Sequence, residues 1–383
     1  MAGTGIWSVE RVGRVLATAG LLGFAASASL GQEKPQGITV PVVLAPFDPD
    51  LPGCTPPADL SPILAFAKDN TREFVLGIER GLSMAAADRG LEFKALLAEN
   101  DPARMVDQLQ ALNLEKPAGV VVSPVDPGSL TESLQALIWS GSYVGTVVAP
   151  PATSLLNAPQ YLTGKELADA AATYIQNELG GEADVVLLTQ DSIQFLTPRF
   201  AAIRDTFADM PGVRIVADIS PSPVSKEGGL ATMRTILLAH PNVDVVLGAD
   251  GVVLGALAAL RESGKDRPDQ FLGGIDGEPE AVAEIRKGGP YKVSISLNSS
   301  VFGYAMGQHA TDWLEGKQIP QAIDILPRAL SAANLDAYKA DFADPAAVYA
   351  DPERRASYLR MYGNVCYETR ANYINFPWSS EAD

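Results

Sequence analysis

The side chains that could do chemistry in this chain favour binding over catalysis. The 383 residues include two histidines, His240 and His309, and two cysteines. These are too few for a cysteine-rich zinc site or an iron–sulfur cluster, and they leave little for acid–base chemistry by histidine. No G-x-G-x-x-G or G-x-x-x-x-G-K motif follows a strand pattern, and no G-x-S-x-G motif is present. We therefore expect no catalytic residue, no metal and no cofactor.

Asp276 is the best-placed candidate for contact with a small polar ligand. It follows the apolar run at residues 271–275, and it precedes Gly277, which allows the backbone to turn. A carboxylate at this position stands at the carboxyl end of a strand, where open α/β sheets bind their ligands. Carboxylates, amides and arginines bind hydroxyl groups there, and aromatic faces cover C–H surfaces.

Composition and charge describe a folded, acidic protein. Hydrophobic residues make up 47% of the chain and charged residues 20%, which is a globular mixture. Lys and Arg number 29 against 46 Asp and Glu, so the formal net charge is −17. Such a surface repels phosphate backbones, and we expect no nucleic-acid partner. The length suits two lobes better than one small core.

Residues 1–31 have the features of a cleaved secretory signal peptide. Arg11 and Arg14 precede an apolar run at residues 15–26, and Ala26-Ser27-Ala28 supplies the small residues of a cleavage site. The apolar run is too short for a stable membrane span, and an N-terminal core helix is the alternative interpretation. We expect export to the periplasm.

Export gives the two cysteines a structural meaning. Cys54 lies near the start of the mature chain and Cys366 near its end. In an oxidising compartment they could form a disulfide that ties the C-terminal tail to the first βα loop. Two separate thiols remain the alternative, since nothing in the sequence fixes their distance.

After the leader, short apolar runs alternate with helical patterns. Strands are predicted at residues 37–44, 91–97, 118–123, 184–189, 213–217, 243–248 and 271–276. Helices are predicted at residues 70–89, 102–114, 128–140, 199–210, 226–239, 252–263 and 279–287. Continuous Val, Leu and Ile runs are typical of parallel strands buried on both faces. The predicted fold class is α/β, with two doubly wound parallel-sheet lobes.

The domain boundaries follow from the same alternation. Residues 37–150 form the predicted N-terminal lobe, completed by about 298–320, and residues 151–297 the C-terminal lobe, completed by about 321–328. The Pro-rich residues 146–160 are the predicted first crossing between lobes. Residues 329–383 form an aromatic-rich C-terminal extension with short helices at 336–342 and 351–362. Its aromatic residues pack on the lobes, or alternatively form a docking surface for a partner.

Four stretches of this pattern resemble periplasmic sugar-binding proteins of the ribose-binding type, the solute-binding components of ABC importers. They are residues 119–126, 239–246, 250 with 254–260, and 274–277, within a resemblance that covers roughly residues 37–327. The resemblance implies a periplasmic binding protein of type I, in which three crossing strands join two lobes that close over a sugar.

The resemblance also implies ligand-binding residues. Asn70, Arg72 and Phe74 match a family loop after the first strand, although Asn70 could instead cap a helix and Phe74 could belong to the core. Arg199 occupies the place of a family arginine that reaches into the cleft. Asp276 matches the family aspartate that accepts sugar hydroxyls.

Further candidates for ligand binding match the family pattern less closely. Asp250 follows a family Asn-Asp pair, but Ala249 replaces the asparagine. Asn298 lies near the position of a family amide, at the last crossing strand. Phe47, at the end of the first predicted strand, offers another aromatic wall. Asp126 follows the third strand, and for it we favour a helix N-cap over a ligand contact.

Departures from the family pattern argue against ribose as the ligand. Ala149-Pro150-Pro151 stands where the family often has Asp-Arg, and residues 48–68 resemble an insertion. We expect a monomer that captures a sugar or polyol and delivers it to an inner-membrane ABC permease. A ligand sensor for a membrane receptor or kinase is the alternative, followed by an exported carbohydrate-active enzyme.

Overall fold

The computed structural model describes residues 42–190 and 193–381. The predicted signal peptide lies outside these ranges. Among the described residues, no helix combines the length and apolar character that a membrane crossing requires.

Strands and helices alternate along most of the described chain. The strands are β1 Ser61–Lys68, β2 Glu92–Leu97, β3 Pro117–Ser123, β4 Tyr143–Val147, β5 Ser154–Asn157, β6 Ala183–Leu188, β7 Val213–Ile219, β8 Val245–Gly248, β9 Phe271–Ile275, β10 Tyr291–Leu297, β11 Ala322–Ile325, β12 Pro327–Leu330 and β13 Leu359–Tyr362. The helices are α1 Glu73–Arg89, α2 Pro102–Glu115, α3 Pro127–Ser140, α4 Gln160–Glu178, α5 Thr197–Ala208, α6 Lys226–Ala239, α7 Asp250–Glu262, α8 Pro279–Lys287, α9 Ser299–Leu314, α10 Leu335–Ala343, α11 Pro345–Ala350 and α12 Pro352–Ala356.

The strands form two sheets, one in each lobe. The first sheet has the order β13-β11-β5-β4-β3-β1-β2 and the second the order β12-β10-β9-β8-β6-β7. Pairing is parallel except for β11 with β13 and β10 with β12. Apolar clusters cover both faces of each sheet, so central strands such as β3 and β9 are buried throughout. This architecture confirms the predicted α/β fold class.

Short connections join the lobes and place the boundaries differently from the sequence-based expectation. The chain crosses from β5 to α4, from β10 to α9 and from β11 to β12. Strands β5 and β11 both belong to the first sheet, so this lobe extends beyond residue 150, and residues 322–325 complete the first lobe, not the second. After β12 the chain passes through α10, α11 and α12 and then rejoins the first sheet as β13.

The strand predicted at residues 37–44 is absent from the part of that range that the structure describes. Residues 42–44 belong to no strand, and β1 is instead the run Ser-Pro-Ile-Leu-Ala-Phe-Ala-Lys that resembled part of an insertion. Its alanines lower its intrinsic strand preference, but its position between β2 and β3 buries six consecutive residues. The carbonyl of Val42 accepts a hydrogen bond from Trp378 Nε1 at 2.9 Å.

Helices α1 and α9 pack with their backbones in close contact. A Cβ atom added to Gly81 would lie 2.1 Å from the carbonyl oxygen of Ser300, and one added to Gly303 would lie 2.2 Å from that of Ile78. Only glycine permits this approach. The contact holds the middle of α1 against the beginning of α9, which follows the crossing from β10.

The C-terminal extension packs mainly on the first lobe. The helix predicted at 336–342 is present as α10, but the one predicted at 351–362 is only partly right, since its second half is β13. The rings of Tyr362 and Trp378 pack at a centroid distance of 5.3 Å. A disulfide joins Cys54 to Cys366, with Cα atoms 6.1 Å apart. The burial of Tyr358 and Trp378 supports packing over a docking surface for this seam.

Candidate functional site

The loop after β1 is organised by a buried carboxylate. Asp69 accepts hydrogen bonds from Ser123 Oγ at 3.0 Å, from Asn70 Nδ2 at 2.6 Å and from Arg72 Nη2 at 3.2 Å. Asn70 Oδ1 accepts the backbone N–H of Arg72 at 2.9 Å. Asn70 therefore stabilises this loop and does not cap α1, whose N-cap is Arg72. The Arg72 side chain is 76% exposed, so most of its hydrogen-bonding capacity faces solvent.

Asp276 lies at the carboxyl end of β9 in a strained conformation. Its φ angle is +120°, which is rare for a residue other than glycine and persists only where the surrounding structure enforces it. The backbone N–H of Asp276 donates to the carbonyl of Ile295 at 2.8 Å, and that of Gly277 donates to Ser294 Oγ at 3.0 Å. Across the described residues, the carboxylate itself has no hydrogen-bond donor, so it is available to a ligand.

The electrostatic environment of Asp276 comes from both lobes. Water reaches this side chain, but the protein around it raises the pKa of the carboxyl by desolvation. The charges of Arg199 and Arg72 act in the opposite direction and lower that pKa. Arg199 belongs to α5 of the second lobe, whereas Arg72 precedes α1 of the first. The charge of the carboxylate is thus stabilised by one arginine of each lobe.

Arg199 is held in place from one side. It is buried, and its Nε donates to Gln160 Oε1 at 3.0 Å. Burial lowers the pKa of its guanidinium, and the charge of Asp276 raises it. Within residues 42–190 and 193–381 no carboxylate forms an ion pair with Arg199, so its terminal nitrogens remain available to a polar ligand.

Asp250 lies inside the second lobe and not at the surface of the cleft, where a ligand-binding residue was predicted. It is fully buried at the start of α7, where it accepts hydrogen bonds from Tyr291 Oη, Ser294 Oγ and the backbone N–H of Glu278, each at 2.7 Å. Burial raises the pKa of its carboxyl to about 7. Through its bonds to Ser294 and Glu278, Asp250 holds the turn that carries Asp276 in position.

Three other predicted or considered residues have structural roles. Asn298 is fully buried and caps α9 by accepting the N–H of Val301 at 3.3 Å, and its Nδ2 has no hydrogen-bond partner among the described residues. Asp126 caps α3 through the N–H of Gly128 at 3.2 Å, as favoured from the sequence. Phe47 lies beside β13, where its N–H donates to the carbonyl of Met361 at 3.0 Å. Phe47 therefore does not stand at the end of a first strand, as the prediction for it required.

A cavity of about 480 Å³ opens beside Asp276. Phe74, the last of the predicted ligand-binding residues, lines it. Both lobes and α10 contribute to its walls. Sequence reasoning missed α10 as a wall, although Leu335, Tyr338 and Phe342 recur at helical spacing. The lining residues are Glu73, Phe74, Asp276, Gly277, Pro279, Val282, Ala283, Arg286, Lys287, Leu297, Ser299, Leu335, Tyr338, Lys339 and Phe342.

Comparison with known proteins decides the family. The family model described as periplasmic binding protein domain matches residues 63–318. The chain belongs to this family. This periplasmic binding protein is 25% identical to the ribose import binding protein RbsB of Salmonella typhimurium. The match extends over 224 residues, which cover 56% of this chain and 72% of that protein. The resemblance to the ribose-binding type is therefore confirmed.

Solved structures of periplasmic binding proteins share the fold. A periplasmic ribose ABC transporter structure from Conexibacter woesei aligns with a TM-score of 0.64 at 21% identity, covering 75% of this chain and 97% of that one. A Caulobacter myo-inositol binding protein with bound myo-inositol aligns with a TM-score of 0.60 at 23% identity, covering 73% and 97%. Helix α10 lies outside the region matched by the family model, so the cavity joins residues of this periplasmic binding protein domain to residues beyond it.

Proposed function

We propose that this periplasmic binding protein captures a sugar or polyol between its lobes and delivers it to an inner-membrane ABC permease. The observation that carries the proposal is the Asp276 carboxylate, which has no hydrogen-bond donor among the described residues, stands on a strained turn and is stabilised by the charges of Arg199 and Arg72. A carboxylate accepts two hydroxyl groups at once, and adjacent guanidinium groups donate to hydroxyl oxygens.

Closure of the lobes is the proposed mechanism. The open protein exposes the Asp276 edge, and a bound polyol contacts Asp276 and Arg199 from the second lobe and Arg72 from the first. These contacts favour the closed state because only that state makes all of them. Closure brings both lobe tips together, and the permease recognises that arrangement. We expect binding with micromolar or tighter affinity, by a monomer and without chemical change of the solute.

Delivery to a permease is favoured by the named relatives, since RbsB is an import protein. We also propose that residues 1–31 direct export to the periplasm, where the disulfide forms. A strain lacking the protein should lose uptake of the bound solute. Retained uptake together with lost gene regulation would instead support the sensing alternative.

The binding experiment is a melting-temperature screen against sugars and polyols, followed by calorimetry on each hit. Asp276→Ala should weaken binding of every hit by at least about tenfold, which is about 1.4 kcal/mol. The control is Asp209→Ala, which removes an exposed carboxylate at the end of α5. Equal affinity of wild type and Asp276→Ala would refute the site. Release of a product from any hit would show an enzyme.

A further inference from the structure

The cavity beside Asp276 is lined mainly by apolar side chains. Phe74 enters from α1, Val282 and Ala283 from α8, and Leu297 from the end of β10. Its volume of about 480 Å³ lies within the range of about 300–1,000 Å³ of pockets that hold drug-sized ligands. Asp276 and Gly277 line the same cavity, so its apolar interior is continuous with the proposed polyol site.

Helix α10 closes one side of this cavity and is anchored to both lobes. Leu335 packs in the core of the second lobe, and Tyr338 packs against the cores of both. The Tyr338 hydroxyl hydrogen-bonds to Ser296 Oγ at the end of β10. The carbonyl of Phe342 accepts from Ser300 Oγ on α9 at 2.9 Å. The wall is therefore a fixed part of the fold and not a loosely attached tail.

Charged side chains also line this cavity, namely Glu73, Asp276, Arg286, Lys287 and Lys339. Arg286 of α8 forms an ion pair with Asp336 of α10 at 2.8 Å, which links the two helices. Asp276 lines this cavity and also belongs to the proposed polyol site. A mainly apolar cavity that includes this carboxylate suits a ligand with one apolar and one hydroxylated part.

We propose that the solute is a sugar or polyol bearing an apolar substituent, of the aryl or alkyl glycoside class. This inference rests on the proposed function and specifies its substrate. The hydroxylated part binds at Asp276 and Arg199, and the apolar substituent occupies the cavity between α8 and α10. Burial of the substituent against Phe74, Val282 and Tyr338 removes apolar surface from water and so adds affinity that an unsubstituted sugar lacks.

Paired glycosides test the inference. Calorimetry compares the methyl and phenyl β-glycosides of glucose, galactose, xylose and ribose. For at least one sugar, the phenyl glycoside should bind the wild type at least about tenfold more tightly than the methyl glycoside. Ala283→Phe fills the cavity from an exposed position on α8, so it should abolish this preference.

Two further variants make the outcome decisive. Ala337→Phe adds the same ring at an exposed position of α10 outside the cavity, and it should keep the phenyl preference. Val282→Phe, which also fills the cavity, should reproduce the effect of Ala283→Phe. Equal binding of methyl and phenyl glycosides by the wild type would overturn the inference and leave the proposed function intact. Absence of binding by every sugar, polyol and glycoside would overturn both.

Discussion

The guanidinium of Arg72, on the first lobe, lowers the pKa of the carboxyl of Asp276, on the second. The two groups act on each other across the space between the lobes, although they share no hydrogen bond among those of the described residues. The attraction favours approach of the lobes, while desolvation of Asp276 opposes it. A hydroxylated ligand placed between these groups would satisfy both of them.

Removal of the Arg72 charge tests this relationship. Arg72→Ala should weaken binding of a screened sugar or polyol by several-fold, and less than Asp276→Ala does, because Arg72 is mostly exposed and its charge is screened. The difference between wild type and variant should shrink in high salt. Calorimetry at low and high ionic strength measures it. Arg214→Ala, which removes an arginine 74% exposed on the second lobe, should have no effect. A loss that is independent of salt would contradict the electrostatic explanation.

The buried Asp250 predicts an unusual dependence of stability on pH. Its pKa is about 7 in the folded protein against 3.8 in the reference state, so the folded state binds the extra proton. The free energy of unfolding should therefore fall as pH rises from about 4 to about 7, by up to about 4 kcal/mol from this group. Asp250→Asn stays neutral and should flatten that slope.

Urea unfolding at pH 5 and pH 8 measures the effect. The exposed Asp209→Asn serves as the control and should keep the wild-type slope. Parallel pH curves for wild type and Asp250→Asn would show that Asp250 does not carry the dependence.

The disulfide should contribute stability without affecting the ligand site. It lies beside Gly316, since Cys54 N–H donates to the Gly316 carbonyl at 2.6 Å. Helix α9 separates Gly316 from the crossing at Asn298, a length of about 24 Å for its 16 residues. Replacement of both cysteines by serine should lower the free energy of unfolding by about 2–5 kcal/mol. Wild type in reducing agent is the matched comparison, and a changed affinity for the solute would contradict the separation.

The contact between α1 and α9 predicts a strong effect of a single methyl group. Gly303→Ala would place a Cβ atom 2.2 Å from the Ile78 carbonyl oxygen, so the helices must separate. We expect destabilisation of about 1–3 kcal/mol, measured by thermal or urea unfolding. Gly128→Ala is the control within a helix, since its added Cβ meets only Asp126 Oδ1 at 3.6 Å, an ordinary contact distance. A loss of equal size in Gly128→Ala would show that the helix contact is not the cause.

Local patterns were sufficient for much of the fold and for Asp276. The bounds of α6 and α8 match the prediction, because local residues mark these ends: Ser225 caps the start of α6, and Gly288 follows the end of α8. The position of Asp276 after β9 was identifiable because a carboxylate followed by glycine at the end of an apolar run indicates the end of a strand. Strand β1 was not, since its alanine-rich run becomes a strand only through burial between β2 and β3.

The errors at the site have a common physical cause. Asp250 and Asp276 both follow predicted strands, but one carboxylate turns under the neighbouring loop and the other faces solvent. Sequence spacing does not distinguish these directions. The wall supplied by α10 depends on contacts between residues far apart in the chain, such as Tyr338 with Ser296, and no local signal encodes them.

The bond between Cys54 and Cys366 closes residues 54–366 into a covalent ring. Both lobes and every connection between them are part of this ring. A protease that cuts once in a loop of either lobe would leave two fragments still joined. Such a nicked molecule would migrate near its full mass without reductant and separate only when the bond is reduced. Damage at an exposed loop would thus leave the two halves of the protein together.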